Sequence, residues 1–173
     1  MEILLGLLAL GIIVVIFILL IGLIKWLLQG YFLYRVADMK NLDLPVLSFI
    51  PFGTFYVAAQ DYDGNIFSPK RFNPKTIGLI FAVVGLIIYF SGLSIGDVAI
   101  SYILMESIAF IGIFKAYTKN IGVAILLAVL NIITFGIAAI IILFLYSRNL
   151  DKEQMDDIIG SEPSYEEDQT NTL

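Results

Sequence analysis

Apolar residues run along this chain in blocks, and the polar residues gather between them. Residues 3–28 carry one basic residue, Lys25, close to the end of the block. Blocks at about 76–92, 98–115 and 121–146 follow, each long enough or nearly long enough to cross a bilayer as a helix, which takes about 20 residues. The chain is therefore expected to be an all-α integral membrane protein with four transmembrane helices. Lys25 and Trp26 mark the end of the first, with Lys25 expected to reach the interface as an anchor.

The stretch at 30–60 does not fit a span. Phe32, Val36 and Met39 recur at helical spacing, with Arg35 and Asp38 on another face, and this suggests an interfacial helix. The following run, LPVLSFIPFGTFYVAA, is apolar but contains Pro45, Pro51 and Gly53. Pro51 removes a backbone donor from the middle of any helix there. An interfacial or re-entrant hairpin is expected, covered by protein so that its backbone is not left bare in lipid. Residues 61–75 form a polar loop with DYDGN turn chemistry, and residues 151–173 form a disordered acidic tail behind a membrane domain at 1–150.

Charge sets an orientation. With four spans, Arg35, Lys40, Lys70, Arg71, Lys75, Lys115 and Lys119 act as basic anchors on one side, and only Arg148 and Lys152 lie on the other. The positive-inside rule makes the first side cytoplasmic and places both termini outside the cytoplasm, in a multi-pass protein of the cell membrane. The net charge of −5 conceals this, because eight of the fifteen acids lie between Asp151 and Asp168.

Composition narrows the function. Of 173 residues 60% are hydrophobic, above the roughly 45–50% of soluble domains, so the bilayer itself is the first partner. The chain has no Cys and no His, which removes thiol nucleophiles, histidine bases and Cys/His zinc sites. No cofactor is expected, no pattern suggests nucleic-acid binding, and Asp61 and Asp63 lack the closing Glu of a calcium loop. No pair of membrane-embedded Asp residues and no HExxH motif occurs, so the protein is expected not to be an enzyme.

Glu106 is the sharpest feature. It and Asn131 lie equally far from the turn between Thr118 and Lys119, so in an antiparallel hairpin they share a depth near the bilayer middle. An ionised carboxyl is costly there, and an uncharged Glu106 is expected to form an intramembrane polar contact with Asn131. Small residues recur at packing intervals: Gly78, Ala82 and Gly85 in the second span, Ala109 and Gly112 in the third, Ala124 and Ala128 in the fourth. They define faces where helices approach closely.

The stretch YRVADMKNLDLPVLSFIPFGTFYVAAQ resembles a family of small Gram-positive four-span membrane proteins whose pattern has a basic helix end followed by PWLAWIP and an aromatic run. Pro45, Leu47, Ile50, Pro51 and Tyr56 match it, while Val46 and Phe49 stand where the family has Trp and Ala59 where it has Gly. The stretch from Ile111 to Asn149 is similar to the family's last two spans, so about half the chain is covered. The resemblance implies the architecture and brings no activity with it. Three function classes follow. The first, favoured by elimination, is a non-catalytic assembly or accessory subunit with a membrane-protein partner or a second copy of itself. The second is a pore, holin-like or proton-coupled transport element using Glu106. The third is a membrane immunity or defence protein.

Overall fold

The computed structural model describes the backbone of residues 2–62, 73–91 and 94–160, and all of its regular secondary structure is helical. Lys70 and Arg71, most of the 61–75 loop, and the acidic stretch beyond Gly160 lie outside the described residues.

The first helix, α1 (Glu2–Met39), is one unbroken rod of 38 residues. It has no internal proline, and it stops where Asn41 adopts a left-handed conformation and the Leu42 N–H reaches back to the Ala37 carbonyl. The expected interfacial helix at 29–42 is thus the second half of α1. Leu33, Val36 and Ala37 are fully buried, because that half packs inside the protein, whereas Leu7 to Leu20 are all exposed.

A 3₁₀ turn, Pro45–Phe49, and a short helix, α2 (Gly53–Ala59), form the first hairpin. Phe49 packs on Gly30 and Tyr34 of α1, and Pro51 reaches the neighbourhood of Gly22, Trp26 and Tyr102. The chain then returns, and Gln60 closes the base. Its carboxamide accepts from the Asp43 N–H at 2.9 Å and donates to the Asp43 carbonyl at 3.0 Å. The segment folds back on itself in place of a continuous helix, in keeping with its prolines.

Helix α3 (Pro74–Phe90) starts with Asn73 accepting from the Lys75 N–H and Pro74 in its first turn. It runs antiparallel to α4 (Ile95–Ala109): Phe81 and Val84 meet Met105 and Ile108, and Tyr89 meets Val98. Gly78 and Gly85 are buried, and a side chain at either position would collide with the first hairpin, at Tyr56 and at Phe55. The small face of α3 therefore receives the hairpin. Ala82 is half-buried. Helix α4 leads through Phe110 into α5 (Ile111–Thr118), and backbone bonds from Phe110 to Glu106 and from Phe114 to Phe110 keep the two nearly continuous. Ala109 and Gly112 are buried, Gly112 against Asp61 and Tyr62.

The expected last span, 121–146, is two helices. Helix α6 (Ile121–Ile133) begins at Asn120, whose side chain accepts from the N–H groups of Gly122 and Val123. It ends at Phe135, with φ of 51°, and Gly136, with φ of 88°. The Gly136 N–H bonds the Asn131 carbonyl at 2.8 Å, a C-terminal cap with a glycine beside it. Helix α7 (Ile137–Gly160) then turns back. It runs parallel to α1, since Gly136 meets Lys25, Phe32 meets Phe144 and Arg35 meets Asp151. Tyr146 lies 5.8 Å from Tyr117, close to where α6 began, so α6 and α7 form a second hairpin that enters and leaves by the same end. Ala124 and Ala128 are buried at its seams. Residues 151–160, expected to be disordered, continue α7.

Four spans are not found. Two stretches, Gly6–Met39 and Gly96–Thr118, are long and apolar enough to cross a membrane, while Pro74–Phe90 and Ile121–Ile133 are shorter apolar helices. The reason is physical: apolar composition reports lipid or core, and a Phe–Gly turn inside an apolar run is invisible to it.

Candidate functional site

Glu106 sits on α4 with 1% of its surface exposed, but its partner is not Asn131. The Gln29 carboxamide of α1 donates to Oε1, and the Lys25 ammonium stands 3.8 Å from Oε2. The first half of α1 supplies neither; both lie where α1 enters the core. Lys25, read from the sequence as an interface anchor, is ion-paired within the protein. It has a carboxylate to face, and only 27% of its side chain is exposed. A Lys–Glu pair lowers the cost that either charge alone would meet in such surroundings.

Asn131 holds the second hairpin together. Its Nδ2 donates to Ser107 Oγ at 3.0 Å, and its Oδ1 accepts from the Ala139 N–H at 2.8 Å. It thus caps the start of α7 while its own carbonyl caps the end of α6. Thr134 adds a hydroxyl acceptor for the Ala138 N–H at 3.1 Å. Asn131 thus meets Ser107, the chain neighbour of Glu106, and the break in the helix beside Asn131 was not expected from the sequence.

Beside Glu106 lies a half-open cavity of about 370 Å³, lined by Gly22, Lys25, Trp26, Gln29, Thr54 and Tyr102 among others. Two of its buried polar atoms, Glu106 Oε2 and Trp26 Nε1, have no hydrogen-bond partner among the described residues. One is an acceptor and the other a donor. Buried polar atoms are seldom left so, because each unmade bond costs roughly 1–3 kcal/mol. Trp26 was read from the sequence only as a marker of the end of the first span, and Gln29 was not singled out. The signal was there: Lys25 and Gln29 are four apart, on one face of a helix.

The basic residues gather at the opposite end of the core. Arg35 Nη2 donates to both carboxylate oxygens of Asp151, at 2.6 and 2.7 Å. Lys40 pairs with Asp61 and lies over the Tyr146 ring. Burial pulls the Lys40 pKa down, and the adjacent Asp61 carboxylate more than offsets this, so the net shift is upward. Lys75 pairs with Asp43 at 2.9 Å. Lys115 and Lys119 line a second cavity of about 580 Å³ with Lys40, Asp61 and Tyr146.

No family model, curated protein or solved structure matches the chain.

Proposed function

We propose that this chain is a non-catalytic integral membrane protein of the transport-element class, whose working group is the Glu106 carboxylate held inside the bilayer. One observation carries the reading. Glu106 Oε2 is buried without a hydrogen bond among the described residues, 3.8 Å from the Lys25 ammonium, and Glu106 lines a half-open cavity of about 370 Å³. A carboxyl kept only to clamp helices has no use for an oxygen without a hydrogen bond in the wall of an open cavity, and an intramembrane acid marks a functional site by default.

The proposed topology has three crossings, α1, α3 and α4 with α5, and two hairpins entering from the basic end. Helix α3 has 17 residues and spans roughly 25 Å, a little under the hydrocarbon thickness of about 30 Å. Because α7 turns back, Arg148 and Lys152 join Lys40, Lys75, Lys115 and Lys119 at one end. The positive-inside rule makes that end cytoplasmic. The amino end of α1 then lies outside and the end of α7 inside, which replaces the arrangement with both termini outside.

The test is proton movement. In liposomes carrying an internal pH dye, the parent protein dissipates an imposed gradient faster than Glu106→Gln does. Equal, slow dissipation by both removes the transport reading. The accessory-subunit reading draws on one observation of its own: Leu7 to Leu20 of α1 touch nothing buried and remain available to another helix.

A further inference from the structure

The cavity at the basic end is built from several elements. Lys40 stands just past the end of α1, Lys115 and Lys119 lie at the end of α5, and Tyr146 comes from α7. Its volume of about 580 Å³ is in the range of sites that hold small molecules, roughly 300–1,000 Å³. Among the described residues, three ammonium groups and one carboxylate, that of Asp61, line it. None of the three lysines is sealed off. Lys119 is exposed, Lys115 is half-buried, and 23% of the Lys40 side chain is open.

The lysines are also held in place. Lys40 is fixed by the Asp61 carboxylate and lies 5.6 Å from the centre of the Tyr146 ring. Lys119 has a left-handed backbone, with φ of 58°, and its N–H bonds the Lys115 carbonyl at 2.8 Å, so one tight turn carries both lysines. At the same end Arg35 and Lys75 each face a carboxylate, Asp151 and Asp43. Lys119 makes no ion pair among the described residues, so its charge is left for whatever enters the cavity.

We propose that this cavity binds a phosphate group of net negative charge, either the head of an anionic phospholipid or a soluble phosphate. The ammonium groups of Lys119, Lys115 and Lys40 donate to its oxygens. Lysine serves phosphate as a compact charge with three donors. Basic pockets between membrane helices on the cytoplasmic side are where lipid phosphates are bound, and the proposed topology puts this end of the core there. The site lies away from Glu106 and does not rest on what that residue does.

The test uses the full-length protein immobilised in neutral detergent and reads bound counts of radiolabelled ligand. The probes are inorganic phosphate, phosphatidic acid, and phosphatidylcholine with the same chains, whose head carries no net charge. The expected result is saturable binding of phosphatidic acid, of phosphate, or of both, and none of phosphatidylcholine. Equal affinity for phosphate and phosphatidic acid makes the bare group the ligand; preference for phosphatidic acid makes the membrane its source. Lys119→Gln raises the half-saturating concentration about tenfold, as expected for one lost hydrogen bond between charged groups. Arg148→Gln removes the same charge from the same end but outside the cavity lining, and leaves binding unchanged. Both residues are exposed, so neither variant disturbs the core. Absence of saturable binding by phosphate and phosphatidic acid overturns the proposal. So does equal binding of phosphatidylcholine, or an equal loss in the two variants, which would make the attraction a property of the whole basic end.

Discussion

The two hairpins differ in how they declare themselves, yet they turn in the same way. Each apex is a Phe–Gly pair, Phe52–Gly53 and Phe135–Gly136, the only two such pairs in the chain. Each Phe has a positive φ, 66° and 51°, a region that L residues enter at a cost of roughly 1–2 kcal/mol. In each, the glycine is where another group presses closest: the Leu47 carbonyl on Gly53, the Lys25 side chain on Gly136. The surroundings of the two phenylalanines are opposite. Phe52 is packed, with edge-on contacts to Phe55, Tyr89 and Tyr102 at 5.5 to 6.1 Å. Phe135 is 70% exposed and packs on little. A strained turn can be held by its own side chain, as in the first hairpin, or by the groups around it, as in the second, where Asn131 and Thr134 do the holding.

The largest effect tests whether the second hairpin exists. The chain has no Cys, so single cysteines at Asn120 and Gln154 can be labelled by an impermeant reagent in oriented vesicles. A folded-back α7 labels both from the same side; a continuous last span labels them from opposite sides and ends the comparison.

The next separates the two ways of holding strain. Phe52→Gly gives up three aromatic contacts worth roughly 0.5–1.5 kcal/mol each, and removal of a packed Phe side chain costs about 3–5 kcal/mol against a strain relief of about 1. Its thermal midpoint in detergent should fall steeply. Phe135→Gly relieves similar strain and loses little burial, so its midpoint should hold or rise. Matching losses would mean that Phe135 is anchored by something other than its backbone.

The smallest effect is a pH dependence at the base of the first hairpin. There, Asp43 bonds Lys75 and accepts from the Tyr56 hydroxyl at 2.8 Å. The Lys75 bond, helped by the Tyr56 bond, holds the Asp43 pKa below its ordinary 3.8. The stability this gives is full above 3.8 and is lost as pH falls through the lowered folded value. Burial first, and then the Asp43 bond, push Tyr56 from 10.0 up to about 12. That contribution is complete below pH 10 and disappears as pH rises toward 12. Amide exchange near Gln60 should therefore quicken at both extremes. Asn131 lies near the apex of the second hairpin, beside the Lys25–Glu106 pair, so exchange there follows different groups.

What the sequence disclosed follows from this contrast. The first hairpin was legible because Pro45 and Pro51 cannot sit inside a continuous helix, and proline acts through the backbone whatever the solvent. The second was not, because Ile132, Ile133 and Phe135 read as one apolar run and the break needs only two positive-φ residues, Phe135 and Gly136. Glu106 was legible as costly and in need of company. Its company was not, since counting from a turn fixes depth along two helices and says nothing about which third helix fills the space. Lys25 and Gln29 came from α1, some 77 residues away in the case of Gln29.

Helix α1 gains a further meaning from where Lys25 is held. At 1.5 Å per residue its 38 residues extend roughly 57 Å, nearly twice the hydrocarbon thickness. An oily rod of that length could slide through a bilayer over many positions with little change in free energy. Lys25, paired with Glu106, adds to the packing of Leu33, Val36 and Ala37 and to the Arg35–Asp151 pair in holding the second half of the rod against such sliding, and a proton on the carboxylate weakens one hold among several.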